Sequence, residues 1–169
     1  MKARSDPKKN PDKTTNILFC GIGGQGVLTA SEICGWAAIF EGFNVKKSEV
    51  HGMAQRGGSV ESHLRFGNEV FSPLIPDGKV DFLVAFHKEE GERLKKLLDP
   101  KGVSFINALE EAQKRVRDNK YLNIFMLGKL SSFLPLKKEN WLKAIEQVFH
   151  SKNLAENKTV FMKGRGEDR

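Results

Sequence analysis

The sequence predicts an α/β protein: a mostly parallel sheet with helices on both faces, plus one antiparallel hairpin. Three observations predict it. Short apolar runs at 16–20, 80–86 and 103–106 look like strands buried on both faces. Helical patterns alternate with them at 27–40, 89–98 and beyond 109, the order that builds a parallel sheet covered by helices. Between these, 59–66 alternates strictly, with Val60, Ser62, Leu64 and Phe66 on one face and Glu61, His63 and Arg65 on the other.

The elements follow in order. The run 16–20 ends in Gly21-Ile22-Gly23-Gly24-Gln25-Gly26 and opens a helix over 27–40, where Val27, Ala30, Cys34, Ala37 and Ala38 share a face. Gly42 stops that helix. A second strand is expected over 44–50, and the glycine-rich stretch 51–58 cannot be regular throughout. After 59–66, Gly67-Asn68 is a turn signal, so 69–72 is expected to pair back as a hairpin arm. Pro73-Leu74-Ile75-Pro76 is a rigid connection, 80–86 a strand, 89–98 a helix, 100–102 a turn and 103–106 another strand. Helices at 109–118, 121–133 and 138–149, broken at Pro135, complete a Rossmann-like three-layer sandwich.

At 169 residues the chain is one domain, placed at 16–150, with a disordered basic tail over 1–15 and a partly ordered or partner-bound extension over 151–169. With 39% hydrophobic and 29% charged residues it is globular. No apolar run approaches the ~20 residues of a membrane span, and 1–16 lacks the apolar core of a secretory signal. Two cysteines, Cys20 and Cys34, are too few for an iron–sulfur cluster or a four-thiolate zinc site and suit a reduced, cytoplasmic setting. The net charge of +7 sits mostly in the tails, with +3 on 1–15 and +2 on 158–169, leaving +2 on 16–157. A nucleic-acid groove would concentrate that charge on the fold, so no nucleic-acid partner is expected.

Two stretches carry the chemistry. Gly21-x-Gly23-x-x-Gly26 lies between a strand and a helix, the context of the dinucleotide fingerprint, where glycines admit an anion to helix N–H groups. Gly24 and Gln25 belong to the same loop, and Glu49, ending the next strand, is the candidate ribose-binding acid. Three readings stay open: a bound nucleotide, an anion or cofactor edge contributed to a complex, or a tight turn alone. The second stretch runs Ser48-Glu49-Val50-His51-Gly52-Met53-Ala54-Gln55-Arg56-Gly57-Gly58-Ser59. Ligands of open α/β sheets sit at the carboxyl ends of the strands. That rule puts the loops 21–26 and 49–58, His87-Lys88 and Asn107 on one rim, with Ser48, Gln55, Gly57, Gly58 and Ser59 contributing. No residue stands out as catalytic; Arg56 suits an anionic group, and His51 either supports it or holds a turn. The histidines lack metal-ligand spacing, so no metal is expected.

These motifs resemble a family. Ile22 to Val27, Ser48 to Val60 and Phe71 to Pro76 are similar to the gamma-type subunit of 2-oxoacid:ferredoxin oxidoreductases, and most of all to the small (beta) subunit of indolepyruvate oxidoreductase. Asn107, Asn123, Met126-Leu127-Gly128, Leu134-Pro135-Leu136, Trp141, Asn157, Phe161 and Gly164 extend the resemblance over 16–164. After Asn107 the chain is shorter than the family pattern, which implies that one strand of the family's sheet is missing.

The resemblance implies oxidative decarboxylation of a 2-oxoacid to an acyl-CoA with electrons passed to ferredoxin, using thiamine diphosphate, iron–sulfur clusters and coenzyme A. This chain has neither clustered cysteines nor a Gly-Asp-Gly thiamine motif, so it is expected to bind none of these by itself. It is expected to be inactive alone and to serve a catalytic subunit that holds them, reaching ferredoxin through the complex. In isolation it could pair with itself as a homodimer. The alternative is a free-standing NAD(P)- or FAD-binding protein, which rests on the glycine fingerprint alone.

Overall fold

The computed structural model describes residues 13–53 and 57–168. Five strands, β1 (Thr15–Ile22), β2 (Asn44–His51), β3 (Ser59–Gly67), β4 (Val80–Ala85) and β5 (Leu98–Ser104), form one sheet in the order β2-β3-β1-β4-β5. β4 runs parallel to both β1 and β5, whereas β3 is antiparallel to both β1 and β2. Only β3 therefore opposes the others. Six helices complete the described fold: α1 (Val27–Phe40), α2 (Lys88–Leu94), α3 (Ala108–Arg115), α4 (Leu122–Ser131), α5 (Lys138–Phe149) and α6 (Leu154–Gly164).

The alternation of β1 divides the core. Ile17 and Phe19 point into the larger cluster, with α1, α4, α5 and α6. Leu18 and Cys20 point into a smaller one, where Leu94 of α2, Ile75 and Ile106 cover Leu83 and Ala85. Helices thus lie on both faces, as the apolar runs require. α4 is apolar nearly all round and buried nearly all round. No described helix is long and apolar enough to cross a membrane.

Three expectations are corrected. Residues 69–72 form no strand; the hairpin partner of β3 is β2, from Asn44↔Gly67 to His51↔Val60. β3 has neighbours on both sides, so no edge remains for 69–72, and Pro73 and Pro76 hold that segment off the ladder. Pro100–Gly102 lies within β5, where the register shifts between Val80 and Phe82; an edge strand tolerates such a proline-bearing irregularity. The first helix after Phe86 ends at Leu94 and tightens into a 3-10 turn over Lys95–Leu97. Within the expected extension over 151–169 the chain forms α6. α6 buries Asn157, Phe161 and Gly164, and Phe161 meets Trp141 of α5 with ring centroids 5.7 Å apart. α6 also crosses α4 so closely that a Cβ on Gly128 would collide with the Phe161 carbonyl and stand 2.9 Å from the Gly164 Cα. Of the expected tail 1–15, residues 1–12 lie outside the described residues and Thr15 already belongs to β1.

Candidate functional site

The carboxyl ends of β1, β4 and β5 open onto one edge of the sheet. The 21–26 loop turns there from β1 into α1. Gly24 and Gly26 have φ of +90° and +74°, left-handed values that exclude most side chains. The turn is held from inside. Gln25 Oε1 accepts the Ile22 N–H at 2.9 Å, and Gln25 Nε2 donates to the Phe86 carbonyl at 2.9 Å. One side chain thereby ties the end of β1 to the end of β4. Asn123 Nδ2 donates to the Gly26 carbonyl at 3.2 Å, where a Cβ on Gly26 would collide with that amide. The glycines thus make room first for Gln25 and Asn123, which gives the tight-turn reading its physical content.

Beside the loop lies an open cleft of ≈ 370 Å³, walled by Gln25, His87, Lys88, Asn107, Glu110 and Gln113 among others. Three of the four stretches placed on one rim from sequence meet in it. His87 precedes α2 in extended backbone, and its Nδ1 is buried with no hydrogen-bond partner among the described residues. Asn107 precedes α3, so the first turns of two helices face the same opening. In charge the cleft is unlike a nucleotide cradle: Lys88 stands among Glu89 and Glu110. Among the described residues it offers hydrogen-bonding groups but no surplus of cations.

The fourth stretch meets the glycine loop from the side. Gly23 N–H donates to the Gly58 carbonyl at 2.9 Å, and a Cβ on Gly23 would touch the Gly57 backbone at 3.4 Å. Gly57, at φ +65°, and Gly52, whose N–H donates to the Ser59 carbonyl at 2.7 Å, close the neck of the loop. Gln55 and Arg56 lie outside the described residues. Ser48, Glu49 and His51 sit on β2, away from the cleft: Glu49 pairs with Lys47 at 3.0 Å, and His51 Nε2 is 3.9 Å from Glu49 Oε2.

That position removes Glu49 as a ribose-binding acid. The dinucleotide fingerprint needs the second strand beside the first, but here β3 lies between β1 and β2. The composition of the two strands explains the exchange. β3 buries Val60, Leu64 and Phe66, whereas β2, Asn-Val-Lys-Lys-Ser-Glu-Val-His, has no buried residue and so takes the outer place.

Sequence reasoning missed a polar network under this neck. Arg93 Nη2 donates to Glu61 Oε1 at 2.8 Å and to Glu90 Oε2 at 2.7 Å, and Ser59 Oγ donates to Glu90 Oε1 at 3.0 Å. The network ties α2, and with it His87, to β3. His63, whose Nε2 stands 3.8 Å from Glu61 Oε2, and Arg93 together hold the Glu61 carboxyl below the usual carboxylate range. His63 Nδ1 in turn accepts the Ile75 N–H at 3.3 Å. The alternation of 59–66 already placed Glu61 and His63 on one face; which helix that face meets was not visible.

The cysteines do not fit an iron–sulfur cluster. Cys20 points into the smaller core and Cys34 into the larger, on opposite sides of the sheet. Burial pushes the Cys20 thiol up to about 12 and raises that of Cys34 further. Among the described residues no three His, Cys, Asp or Glu gather as metal ligands.

The model of the family described as pyruvate ferredoxin/flavodoxin oxidoreductase matches residues 16–167. The chain belongs to this family. Within it, the indolepyruvate oxidoreductase subunit IorB of Pyrococcus horikoshii is 45% identical over 96 residues, 57% of this chain and 48% of the relative. The subunit of the same name from Methanothermobacter thermautotrophicus is 51% identical over 78 residues, 46% of this chain and 39% of the relative. The chain thus spans about half the length of the curated relatives it matches. Among solved structures, the keto/oxoacid ferredoxin oxidoreductase gamma subunit of Geobacter sulfurreducens superposes with a TM-score of 0.75 at 23% identity, over 92% of this chain and 96% of that one. The 2-oxoglutarate:ferredoxin oxidoreductase of Magnetococcus marinus, solved with 2-oxoglutarate, coenzyme A and succinyl-CoA, gives 0.76 at 18% identity, over 92% of this chain and 31% of that one. These likenesses show that the gamma subunit of the oxidoreductases and this chain share a fold.

Proposed function

We propose that the chain is the small, gamma-type subunit of a 2-oxoacid:ferredoxin oxidoreductase, and that its sheet edge completes a pocket whose reactive groups belong to a catalytic partner. The observation that carries this reading is the cleft between β1, β4 and β5. It gathers Gln25 and Asn107 beside a His87 Nδ1 that has no partner among the described residues, yet those residues lack the cations that would hold a nucleotide unaided. Such a surface is one wall of a site. The iron–sulfur clusters are assigned to the partner because neither thiol of this chain is available to a cluster, and thiamine diphosphate because the chain carries no Gly-Asp-Gly motif.

What this wall would meet is an anionic group of the 2-oxoacid or of coenzyme A, through the neutral donors of Asn107 and Gln113 and the ammonium of Lys88. Arg56 and His51 are assigned a supporting role at the partner-facing rim, on the sequence setting described above. The indolepyruvate relatives favour an aryl 2-oxoacid as substrate.

The test is anaerobic co-purification of the chain with its catalytic partner, followed by coenzyme A-dependent reduction of a viologen dye with several 2-oxoacids. Activity that needs both chains is expected, with Asn107→Ala raising KM for coenzyme A or the oxoacid while the complex stays assembled. Full activity of the partner without this chain would overturn the reading.

A further inference from the structure

We propose that β2 is a self-complementary edge through which two copies of the chain join in one continuous ten-stranded sheet, about a two-fold axis perpendicular to it. β2 pairs with β3 on one side and, among the described residues, leaves an eight-residue ladder open on the other. Natural sheets seldom leave such an edge without a charge device or a cover.

The charges of β2 select one partner in one register. Across a perpendicular two-fold axis an antiparallel pair keeps its faces, so residues of the same parity meet. Centred on Ser48, the pairing sets Lys47 of each copy against Glu49 of the other, twice, with Ser48 facing itself. Centred on Lys47 it would oppose two lysines, and centred on Glu49 two glutamates. Opposite charges directly across a ladder stabilise it, and like charges do the reverse. Within one copy Lys47 and Glu49 already stand 3.0 Å apart on the face that looks toward α1, so both are placed to exchange partners.

The helix layer agrees. The helices packed most closely on α1 are α5 and α4, and among the described residues α1 is the helix that packs closely on β2. That flank carries Ile39 at 45% and Phe40 at 38% exposure, and Trp36 stacks on Phe40 with ring centroids 5.7 Å apart. Trp36, Ile39 and Val45 line a groove of ≈ 150 Å³ between α1 and β2. In the joined sheet the two copies of β3, over which α1 lies, would be about 14 Å apart at ~4.8 Å per strand. Helices in direct contact sit ~8–10 Å apart, and the paired Trp36–Phe40 stacks are large enough to fill the difference.

The experiment is the solution mass of the purified full chain by sedimentation equilibrium. The expected result is a mass twice that of the chain for the wild type, with Lys47→Glu and Glu49→Lys each weakening the dimer about tenfold or more because both cross-strand pairs turn repulsive. Mixing the two variants in equal amounts is expected to restore the doubled mass, since one copy then presents two carboxylates where the other presents two ammonium groups. Far-ultraviolet circular dichroism and urea midpoints check that both variants are folded, as exposed edge substitutions should be. A wild type that stays monomeric, a single variant that dimerises as the wild type does, or a mixture that stays monomeric would each overturn the proposal. The first of these would leave the edge to a different chain.

Discussion

Gln25→Ala probes whether the glycine loop is held by its own side chain. Gln25 satisfies two backbone groups, the Ile22 N–H and the Phe86 carbonyl, each at 2.9 Å, and Phe86 is buried. A buried backbone group left without a partner costs about 1–3 kcal/mol. The pair sits at the mouth of the cleft, where water can reach one of the two groups, so the combined loss is about 3 kcal/mol. For a chain of this size that lowers Tm by roughly 6–12 °C. Urea unfolding followed by circular dichroism gives the free energy directly.

Gln25→Glu sharpens the test. One carboxylate oxygen can still accept from Ile22, but the other would face the Phe86 carbonyl oxygen, acceptor against acceptor. The ionised form is thereby disfavoured in the folded state, and the pKa of the introduced carboxyl rises above its unfolded value. Stability relative to wild type should therefore be lowest at neutral pH and recover as pH falls through the raised value, where the protonated carboxyl donates to Phe86. A loss of less than about 0.5 kcal/mol for Gln25→Ala, or a Gln25→Glu penalty independent of pH, would refute the clamp.

Two further predictions concern packing and charge. Gly128→Ala should cost at least about 3 kcal/mol in urea unfolding, because the new methyl would collide with the Phe161 carbonyl across the α4–α6 crossing; a neutral result would mean that α6 does not pack there. Arg93→Ala should cost about 1 kcal/mol at neutral pH, discounted for the exposure of the guanidinium. Its pH profile gives the sign. The Glu61 carboxyl is held low by the neighbouring His63 and by Arg93, so its contribution is present above the ordinary carboxylate range and is lost as pH falls through the depressed value. Wild type should lose stability on acidification more steeply than Arg93→Ala, the two curves converging in acid; parallel curves would refute the pairing.

Local pattern determined much of this protein. The apolar runs at 16–20 and 80–86 are β1 and β4 because a strand covered on both faces has no polar position, and Gly42 and Pro135 mark helix boundaries that the backbone obeys. The rim is legible too: parallel strands put their carboxyl ends on one edge, and the order of strands and loops along the chain is enough to set Gln25, His87, Lys88 and Asn107 there. Strand order was decided only in three dimensions. The alternation of 59–66 says that β3 has two unlike faces, but not that β1 and β2 take its two sides, and that choice parts Glu49 from the glycine loop. The α4–α6 crossing likewise depends on Gly128 and Gly164, small residues whose meaning appears only when two backbones approach. Periodicity is a property of neighbours along the chain. Adjacency of strands and the close approach of helices are settled by which surfaces, far apart in sequence, can be buried together.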